Sequence, residues 1–195
     1  MCGVGPFAIP LASLHGVQVH ANDLNPESYK YLLVNKELNK CDAGCSLKTY
    51  NLDGRVFIRH LEKENVMYHH AIMNLPAIAI EFLDVFRGWK APSTHPEHMP
   101  TIHVHCFVKY VTVEDMKETA LKRCEKALGC SLARDNVEIH VVRDVSPKKN
   151  MLCISFRLPG EVKNLARISL NGMPEEVAVN NGQPAAKKLK KPRLD

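Results

Sequence analysis

Two acidic residues and one asparagine each follow a short apolar segment, where they could bind a nucleoside. Asp23 comes after the first of these segments, Asp53 after the second and Asn74 after the third. Carboxylates accept hydrogen bonds from ribose hydroxyls and from the amino group of adenine, and an amide carbonyl accepts one from a ring N–H. Ligands of open α/β sheets bind beyond the carboxyl ends of the strands. The three side chains are therefore candidates for one nucleoside-binding crevice.

A glycine-rich turn opens the chain and runs directly into an apolar segment. Residues 3–10 read Gly-Val-Gly-Pro-Phe-Ala-Ile-Pro. Gly3 and Gly5 allow the backbone to approach a ligand closely, and Pro6 suits the first position of a helix because its missing N–H costs nothing there. A turn of this kind normally follows a buried strand, yet only two residues precede it. We expect the first strand of the sheet to be missing from residues 1–195.

The order of predicted elements defines the fold class. Helices are predicted over 6–15, from Pro26 onward, around 57–61, around 78–86, and from a Thr112–Asp115 capping pair to Gly129, while strands are predicted over 17–21, 46–52, 70–73, 101–110, 137–142 and 151–158. The last two strands are too close in sequence for a helical crossover, so they form an antiparallel pair. The pattern predicts an α/β fold of the Rossmann-like type, a parallel doubly wound sheet closed by an antiparallel hairpin.

Length and charge indicate one domain followed by a basic tail. A chain of 195 residues forms one α/β domain, which we place at 1–159, and residues 160–195 are predicted to be a disordered tail. The formal charge is +5, and most of it comes from residues 187–195, which hold five basic residues and one acid. The nearly neutral body argues against a dense nucleic-acid-binding face over the whole domain. No apolar run is long enough to span a bilayer.

The glycine turn alone fits two kinds of ligand. With Ala8 it matches the G-x-G-x-x-G/A fingerprint of dinucleotide-binding proteins, and Asp23 lies about twenty residues further on, as in that motif. An NAD-dependent oxidoreductase and a noncatalytic adenosyl- or dinucleotide-binding module are therefore the alternatives. The terminal hairpin and Asn74, which precedes Leu75 and Pro76, favour an adenosyl donor instead. The side-chain carbonyl of Asn74 could accept a hydrogen bond from a planar nitrogen that is being methylated, and hydride transfer needs no such group.

Four segments in order carry a family resemblance. Residues 2–10 contain Gly-Val-Gly-Pro-Phe, 21–26 read Ala-Asn-Asp-Leu-Asn-Pro, 51–55 read Asn-Leu-Asp-Gly-Arg, and 73–76 read Met-Asn-Leu-Pro. Together they resemble the archaeal and eukaryotic tRNA (guanine-37 N1)-methyltransferases, most closely the vertebrate-like branch, over nearly all of residues 2–158. The resemblance implies a class I methyltransferase domain, S-adenosylmethionine as the cofactor and tRNA as the substrate. The product would be 1-methylguanosine beside the anticodon.

The resemblance also implies roles for particular residues. Asp23 and Leu24 match the family's ribose-binding pair, Asp53 and Gly54 its adenine-binding pair, and Asn74 its active-site asparagine, which is both catalytic and cofactor-binding. Gly3 and Gly5 would contact the middle of the cofactor through their backbone N–H groups. The acid and the arginine that assist deprotonation of guanine in the family lie upstream of the glycine turn, as does its RNA-recognition region. We therefore expect this chain alone to be impaired or inactive.

The remaining polar residues give weaker signals. No metal site is expected, because His69, His70, His103 and His105 lack a matching ligand set and the pair Cys41 and Cys45 is isolated. Arg143, Lys148 and Lys149 are placed in the hairpin turn, where a solvated turn and a tRNA-phosphate contact remain open alternatives. A monomer without membrane contact is expected. The terminal basic run favours the nucleus, with cytoplasm and mitochondrial matrix as the other compartments.

Overall fold

The computed structural model describes residues 1–41, 47–109 and 112–170. The helices are α1 (Ala8–His15), α2 (Pro26–Leu38), α3 (Gly54–Lys63) and α4 (Val113–Leu128), with 3-10 helices at Ala79–Phe86, Arg134–Asn136 and Gly160–Asn164. The strands are β1 (Val19–Asn22), β2 (Leu47–Tyr50), β3 (His70–Met73), β4 (Thr101–Lys109), β5 (Val137–Ser146) and β6 (Lys149–Arg157). The predicted α/β order is confirmed.

The strands form two sheets within the described residues. β1 and β2 are parallel and make a two-stranded sheet. The other four strands pair in the order β3-β4-β6-β5, in which β3 and β4 are parallel and β6 is antiparallel to both of its neighbours. The antiparallel hairpin is therefore confirmed, and the parallel strands are divided between the two sheets. The sheet is interrupted between β1 and β3, because no strand of the described residues lies there to pair with both.

Each sheet has its own apolar core. The larger core lies where the four-stranded sheet meets α4 and the 3-10 helix 79–86, and its fully buried members include Phe86, Ile102, Leu128 and Ile154. A smaller core joins α1 and α2 to β1 and β2 around Ala12 and Leu32. Burial of apolar surface contributes about 25 cal/mol per Å², so the larger core supplies most of the stabilisation.

The predicted helix ends are confirmed where polar caps and glycines define them. Asn25 accepts a hydrogen bond from Glu27 N, and Pro26 is the first residue of α2. Thr112 and Asp115 form a reciprocal capping box at the start of α4. Gly16 and Gly129 end α1 and α4 in the left-handed conformation, which glycine adopts without strain.

Several boundaries differ from the sequence expectation. The apolar segment 79–86 is a 3-10 helix, and α1 begins at Ala8, two residues after Pro6. β5 extends to Ser146 and β6 begins at Lys149, so the hairpin turn is far shorter than residues 143–150. Ladder pairing across two register shifts extends both strands beyond their apolar stretches. Ser46 and Tyr110 lie outside the described residues.

Residues 160–170 do not behave as the predicted disordered tail. Val162 is fully buried in the larger core, and its carbonyl accepts a hydrogen bond from Gly88 N. Arg167 donates to the Gly88 carbonyl and pairs with Glu62. The expected boundary at 159 is therefore wrong by these eleven residues, because a buried valine and a charged contact attach them to the domain. Residues 171–195 lie outside the described part.

Gly5→Ala tests how tightly the glycine turn packs. A Cβ at position 5 would lie 2.7 Å from Ile9 Cγ1 and 2.8 Å from Leu32 Cδ1, and the φ of Gly5 is +95°. We expect this variant to lose about 2–4 kcal/mol of unfolding free energy in urea denaturation, through overpacking and backbone strain together.

Gly16→Ala is the matched control, because Gly16 also has a positive φ but a Cβ there would meet nothing within 4 Å. It should lose only about 1–2 kcal/mol, the cost of the left-handed backbone. Equal losses in the two variants would contradict close packing at Gly5.

Candidate functional site

Asp23 links the glycine turn to the end of β1. Its Oδ2 accepts a hydrogen bond from Gly3 N at 2.8 Å, and its Oδ1 accepts one from Asn25 N at 3.0 Å. Gly3 adopts a φ of +55°, which turns its N–H toward the carboxylate. The structure thus brings Asp23 and the glycine turn together as the sequence predicts. Each carboxylate oxygen keeps acceptor capacity for a further donor.

Two asparagines that were not assigned a role hold the ends of β1 and β2 together. The buried Asn22 donates to the Leu52 carbonyl and accepts from Leu52 N, both at 2.9 Å. Asn51 donates to the Asp23 carbonyl at 2.7 Å and to the Leu24 carbonyl at 3.0 Å. Their positions are the available sequence signal, since Asn22 directly precedes Asp23 and Asn51 lies two residues before Asp53. These bonds fix the backbone from which Asp23 and Asp53 project.

Asp53 is the N-cap of α3. Its Oδ1 accepts hydrogen bonds from Arg55 N at 2.8 Å and from Val56 N at 3.4 Å. Both recorded bonds use Oδ1, so Oδ2 keeps lone pairs that an amino group could use. The carboxylate therefore stabilises a helix start and keeps one oxygen for a further donor. An Asp before Gly at a turn is also a common structural pair, and here the capping role is real.

Gly54 is needed for a close contact with an aromatic ring. A Cβ at position 54 would lie 3.0 Å from Phe82 Cδ1 and 3.3 Å from Met1 Cε. Phe82 belongs to the 3-10 helix 79–86 and stands 4.2 Å from the Arg55 guanidinium carbon. The sequence pattern places Phe82 only within the helix predicted around 78–86. The ring instead forms a flat apolar surface beside Gly54, which suits a planar base.

Arg55 and Asp84 tie α3 to the 3-10 helix 79–86. Arg55 Nε donates to Asp84 Oδ1 at 2.8 Å and Nη2 donates to Oδ2 at 3.0 Å, a bidentate pair. The hydrogen bond with Asp84 raises the pKa of Arg55 above its ordinary value. Both side chains are largely shielded, so the pair is worth more than a surface ion pair. It holds Phe82 against Gly54.

A cavity of about 860 Å³ opens between β1 and β3. Gly54, Asn74 and Phe82 line it, together with Asn22 from the end of β1. Its size falls in the range of small-molecule and cofactor sites. Asn74 is half-buried at the end of β3, as predicted. Leu24 is 64% exposed, and neither it nor Asp23 nor Asp53 is among the residues that line this cavity.

The histidines near the cavity bond to one another and to hydroxyl groups. His70 Nδ1 lies 3.0 Å from His103 Nε2, and His103 Nδ1 lies 2.8 Å from Ser155 Oγ. Burial is the main cause that lowers the pKa of His103, and the nearby His70 lowers it further. His20 bonds to Tyr50 Oη at 2.9 Å.

The described residues hold no group of three or more His, Cys, Asp or Glu side chains placed to bind a metal ion. Cys41 is buried, and Cys45 lies outside the described residues. No helix within residues 1–41, 47–109 and 112–170 has the length and apolar character needed to cross a bilayer.

The basic residues of the hairpin do not all lie in its turn. Lys148 is in the turn with a φ of +58°, whereas Arg143 is in β5 and Lys149 begins β6. The Lys149 ammonium lies 4.8 Å from the Phe107 ring centroid. The expected cluster is therefore spread over both strands.

The fold and the family match together define an α/β methyltransferase domain. Residues 1–133 match the family described as the TRM5/TYW2 methyltransferase domain, and the chain belongs to this family. Membership favours the methyltransferase interpretation over the oxidoreductase alternative.

Several relatives are similar over most of this chain. The protein named tRNA (guanine(37)-N(1))-methyltransferase 1 of Phaeodactylum tricornutum is 48% identical over 97% of this chain and 42% of its own length. The mouse tRNA (guanine(37)-N(1))-methyltransferase is 43% identical over 80% of this chain and 32% of its own length. The chain thus spans less than half the length of these curated relatives.

Solved structures share the fold. Trm5b of Pyrococcus abyssi aligns with a TM-score of 0.51 at 26% identity, over 80% of this chain and 42% of that one. TYW2 of M. jannaschii, solved in complex with AdoMet, aligns with a TM-score of 0.55 at 23% identity, over 80% of this chain and 65% of that one.

Asp84→Asn tests the clamp between α3 and the 3-10 helix 79–86. The variant keeps the shape of the side chain but leaves the shielded Arg55 guanidinium without its counter-charge. We expect a loss of about 1–3 kcal/mol of unfolding free energy in urea denaturation. Glu27→Gln, which removes the exposed Lys30–Glu27 pair, should change it by about 0.5 kcal/mol or less. Similar small effects in both variants would contradict the clamp.

His20 makes stability depend on pH. Burial, with smaller contributions from Lys48 and His60, lowers the pKa of His20 to about 4. Between pH 6.5 and 4 the unfolded chain binds the proton more readily than the folded one, so stability falls as the pH falls through this range. His20→Phe should remove on the order of 2 kcal/mol from the difference in unfolding free energy between pH 7 and pH 4. An unchanged pH dependence, measured by urea unfolding at both pH values, would show that His20 does not titrate this way.

Proposed function

We propose that this chain is the S-adenosylmethionine-binding part of an enzyme that methylates N1 of guanine at position 37 of tRNA. The observation that carries the proposal is the position of Asp23, Asp53 and Asn74 directly beyond the carboxyl ends of β1, β2 and β3. Gly54 and Asn74 open onto one cavity, and Asp23 is bonded to the glycine turn. Family membership and the names of the relatives support the same assignment.

The donor set fits an adenosyl cofactor. Asp23 would accept hydrogen bonds from the ribose hydroxyls while it holds Gly3 N. Asp53 would accept a hydrogen bond from the adenine amino group through Oδ2, because its hydrogen bonds with the start of α3 use Oδ1. Phe82, whose ring would lie 3.0 Å from a Cβ at position 54, would pack against the base. Two carboxylates at the crevice suit a neutral or cationic ligand better than a pyrophosphate.

Methyl transfer requires a hydrogen-bond acceptor that holds the target base in position. When bound, S-adenosylmethionine supplies an electrophilic methyl group on its sulfonium. Asn74, half-buried at the cavity wall, would accept a hydrogen bond from the base through its side-chain carbonyl and orient the nitrogen for in-line attack. Guanine N1 must lose a proton, and Asp23 and Asp53 already accept hydrogen bonds from backbone N–H groups and would hold the cofactor. We therefore propose that the base catalyst and the tRNA-binding surface lie in sequence beyond this chain, which would leave the isolated chain impaired.

The cellular location is proposed from the tail. The run Lys-Lys-Leu-Lys-Lys-Pro-Arg at 187–193 is typical of a nuclear localisation signal. We propose the nucleus, with the cytoplasm and the mitochondrial matrix as the other compartments. We also propose that the chain is a monomer that binds tRNA and no membrane.

Asp23→Asn and Asn74→Ala separate binding from catalysis. Asp23→Asn should weaken S-adenosylmethionine binding to the chain about tenfold or more in calorimetry, because a charge-assisted acceptor is lost. Asn74→Ala should weaken donor binding less than Asp23→Asn does, yet reduce methyl transfer to unmodified tRNA about a hundredfold in a longer chain that carries the upstream region.

Asp135→Asn is the control, since this exposed carboxylate is in the short 3-10 helix 134–136 away from the crevice. Unchanged methyl transfer by the Asn74 variant would refute its role. Robust transfer by the isolated chain would refute the proposed division of the active site.

A further inference from the structure

β4 continues beyond the end of β3, so part of its edge has no partner among the described strands. β3 has four residues and β4 has nine, and their parallel pairing joins His70–Met73 to residues 101–104. On its other side β4 pairs with β6 along its whole length. The backbone groups of Phe107 on the β3 side therefore need other partners, because backbone N–H and C=O groups that lose contact with water are almost always paired.

Two hydrogen bonds from outside the strand pairing occupy these groups. Phe107 N donates to the Pro76 carbonyl at 3.0 Å, and the Phe107 carbonyl accepts a hydrogen bond from Arg123 Nη1 at 2.8 Å. Arg123 belongs to α4, and the neighbouring Cys124 is fully buried in the larger core, which holds the helix against the sheet. Arg123 thus takes the place of a strand neighbour for the end of β4.

The bond to Pro76 marks a one-residue shift in the pairing. At the start of β4, Thr101 N donates to the His69 carbonyl. The same register would pair Phe107 N with the Leu75 carbonyl, but its acceptor is the carbonyl of Pro76. One extra residue is therefore accommodated after the end of β3. Irregularities of this kind change the direction of a side chain and are frequent next to active sites.

Asn74 lies inside this shift and is held on its carboxyl side by backbone hydrogen bonds. The carbonyl of Leu75 accepts hydrogen bonds from the N–H groups of residues 78 and 79, at 3.0 and 2.7 Å. Pro76, two residues after Asn74, is bonded to Phe107. A displacement of Phe107 would therefore be transmitted through Pro76 to the side chain of Asn74.

We propose that Arg123 is a positioning residue for methyl transfer. It fixes the end of β4 by donating to the Phe107 carbonyl, and through Pro76 it sets the direction of the Asn74 side chain. In this role Arg123 contacts neither the target base nor the cofactor. The proposal rests on the proposed function of Asn74. A misplacement of about 1 Å in a group that orients a reacting atom can reduce a rate about a hundredfold.

The test uses the longer chain that carries the upstream region. Arg123→Met keeps the aliphatic stem but has no donor, and Arg123→Lys keeps one charged donor on a shorter side chain. Lys122→Met is the matched control, because Lys122 is an exposed residue of the same helix whose ion pair with Glu118 lies at the surface. The measurements are hydrogen exchange of the Phe107 amide relative to that of Val104, donor affinity by calorimetry, and kcat and KM for unmodified tRNA.

Arg123→Met should speed the relative exchange of the Phe107 amide about tenfold or more and lower kcat about tenfold to a hundredfold. Donor affinity should change less than kcat does, and the KM for tRNA should stay within about twofold. Arg123→Lys should show smaller changes in both exchange and kcat, and Lys122→Met should show neither.

An unchanged kcat in Arg123→Met, or a lower kcat without faster exchange at Phe107, would overturn the positioning role. An equal loss of kcat in Lys122→Met, or a loss no larger than the loss of donor affinity, would do the same. If Arg123→Met does not fold, Arg123→Lys decides by the same two readouts, and unchanged exchange and kcat would count against the proposal.

Absence of methyl transfer by the unsubstituted longer chain would instead refute the proposed function. The role of Arg123 in methyl transfer would fall with it, whereas the exchange data would still show whether Arg123 holds Phe107 against Pro76.

Discussion

The side chain of Asn22 binds both backbone groups of Leu52, and the crevice depends on this pair of hydrogen bonds. Asn22 is buried at the end of β1, and Leu52 lies just beyond β2. Asn51, which follows β2, adds two hydrogen bonds from its side chain to the backbone carbonyls of Asp23 and Leu24. Buried amides that are fully bonded hold a backbone more rigidly than apolar packing alone. Asp23 and Asp53 thus project from two loops that these hydrogen bonds hold together.

The acids combine structural and binding roles. Asp53 caps α3 through one oxygen, and Asp23 holds the glycine turn and the Asn25 backbone through its two. Such bonds orient a carboxylate before a ligand arrives, which lowers the entropic cost of binding. The Arg55–Asp84 pair serves the same end for Phe82. This preorganised edge contrasts with the open cavity between β1 and β3.

Each of the two sheets is covered by its own helices. β1 and β2 are covered by α1 and α2, and the four-stranded sheet is covered by α4 and the 3-10 helix 79–86. Across the cavity between β1 and β3 the sheets have no ladder hydrogen bonds within the described residues. The contact between α3 and the 3-10 helix, through Arg55 and Asp84, therefore connects the halves of the crevice.

The sequence by itself determined the order of elements, their caps and the candidate acids. Asn25, Thr112 and Gly129 act through bonds to residues at most four positions away, so local pattern predicts them. The places of Asp23, Asp53 and Asn74 after short apolar segments likewise need no long-range information. Whether these residues serve an adenosyl ligand stays a prediction.

Only the tertiary structure decided what depends on distant contacts. The roles of Asn22 and Phe82, and the pairing of Arg55 with Asp84, join residues about 30 positions apart. The burial of Val162 depends on the core surface that the earlier elements form. The glycine turn was predicted from sequence to bind a ligand. The structure shows in addition that Ile9 and Leu32 leave no space for a side chain at position 5. Local sequence predicts the turn, but only the packing of distant residues determines the space around it.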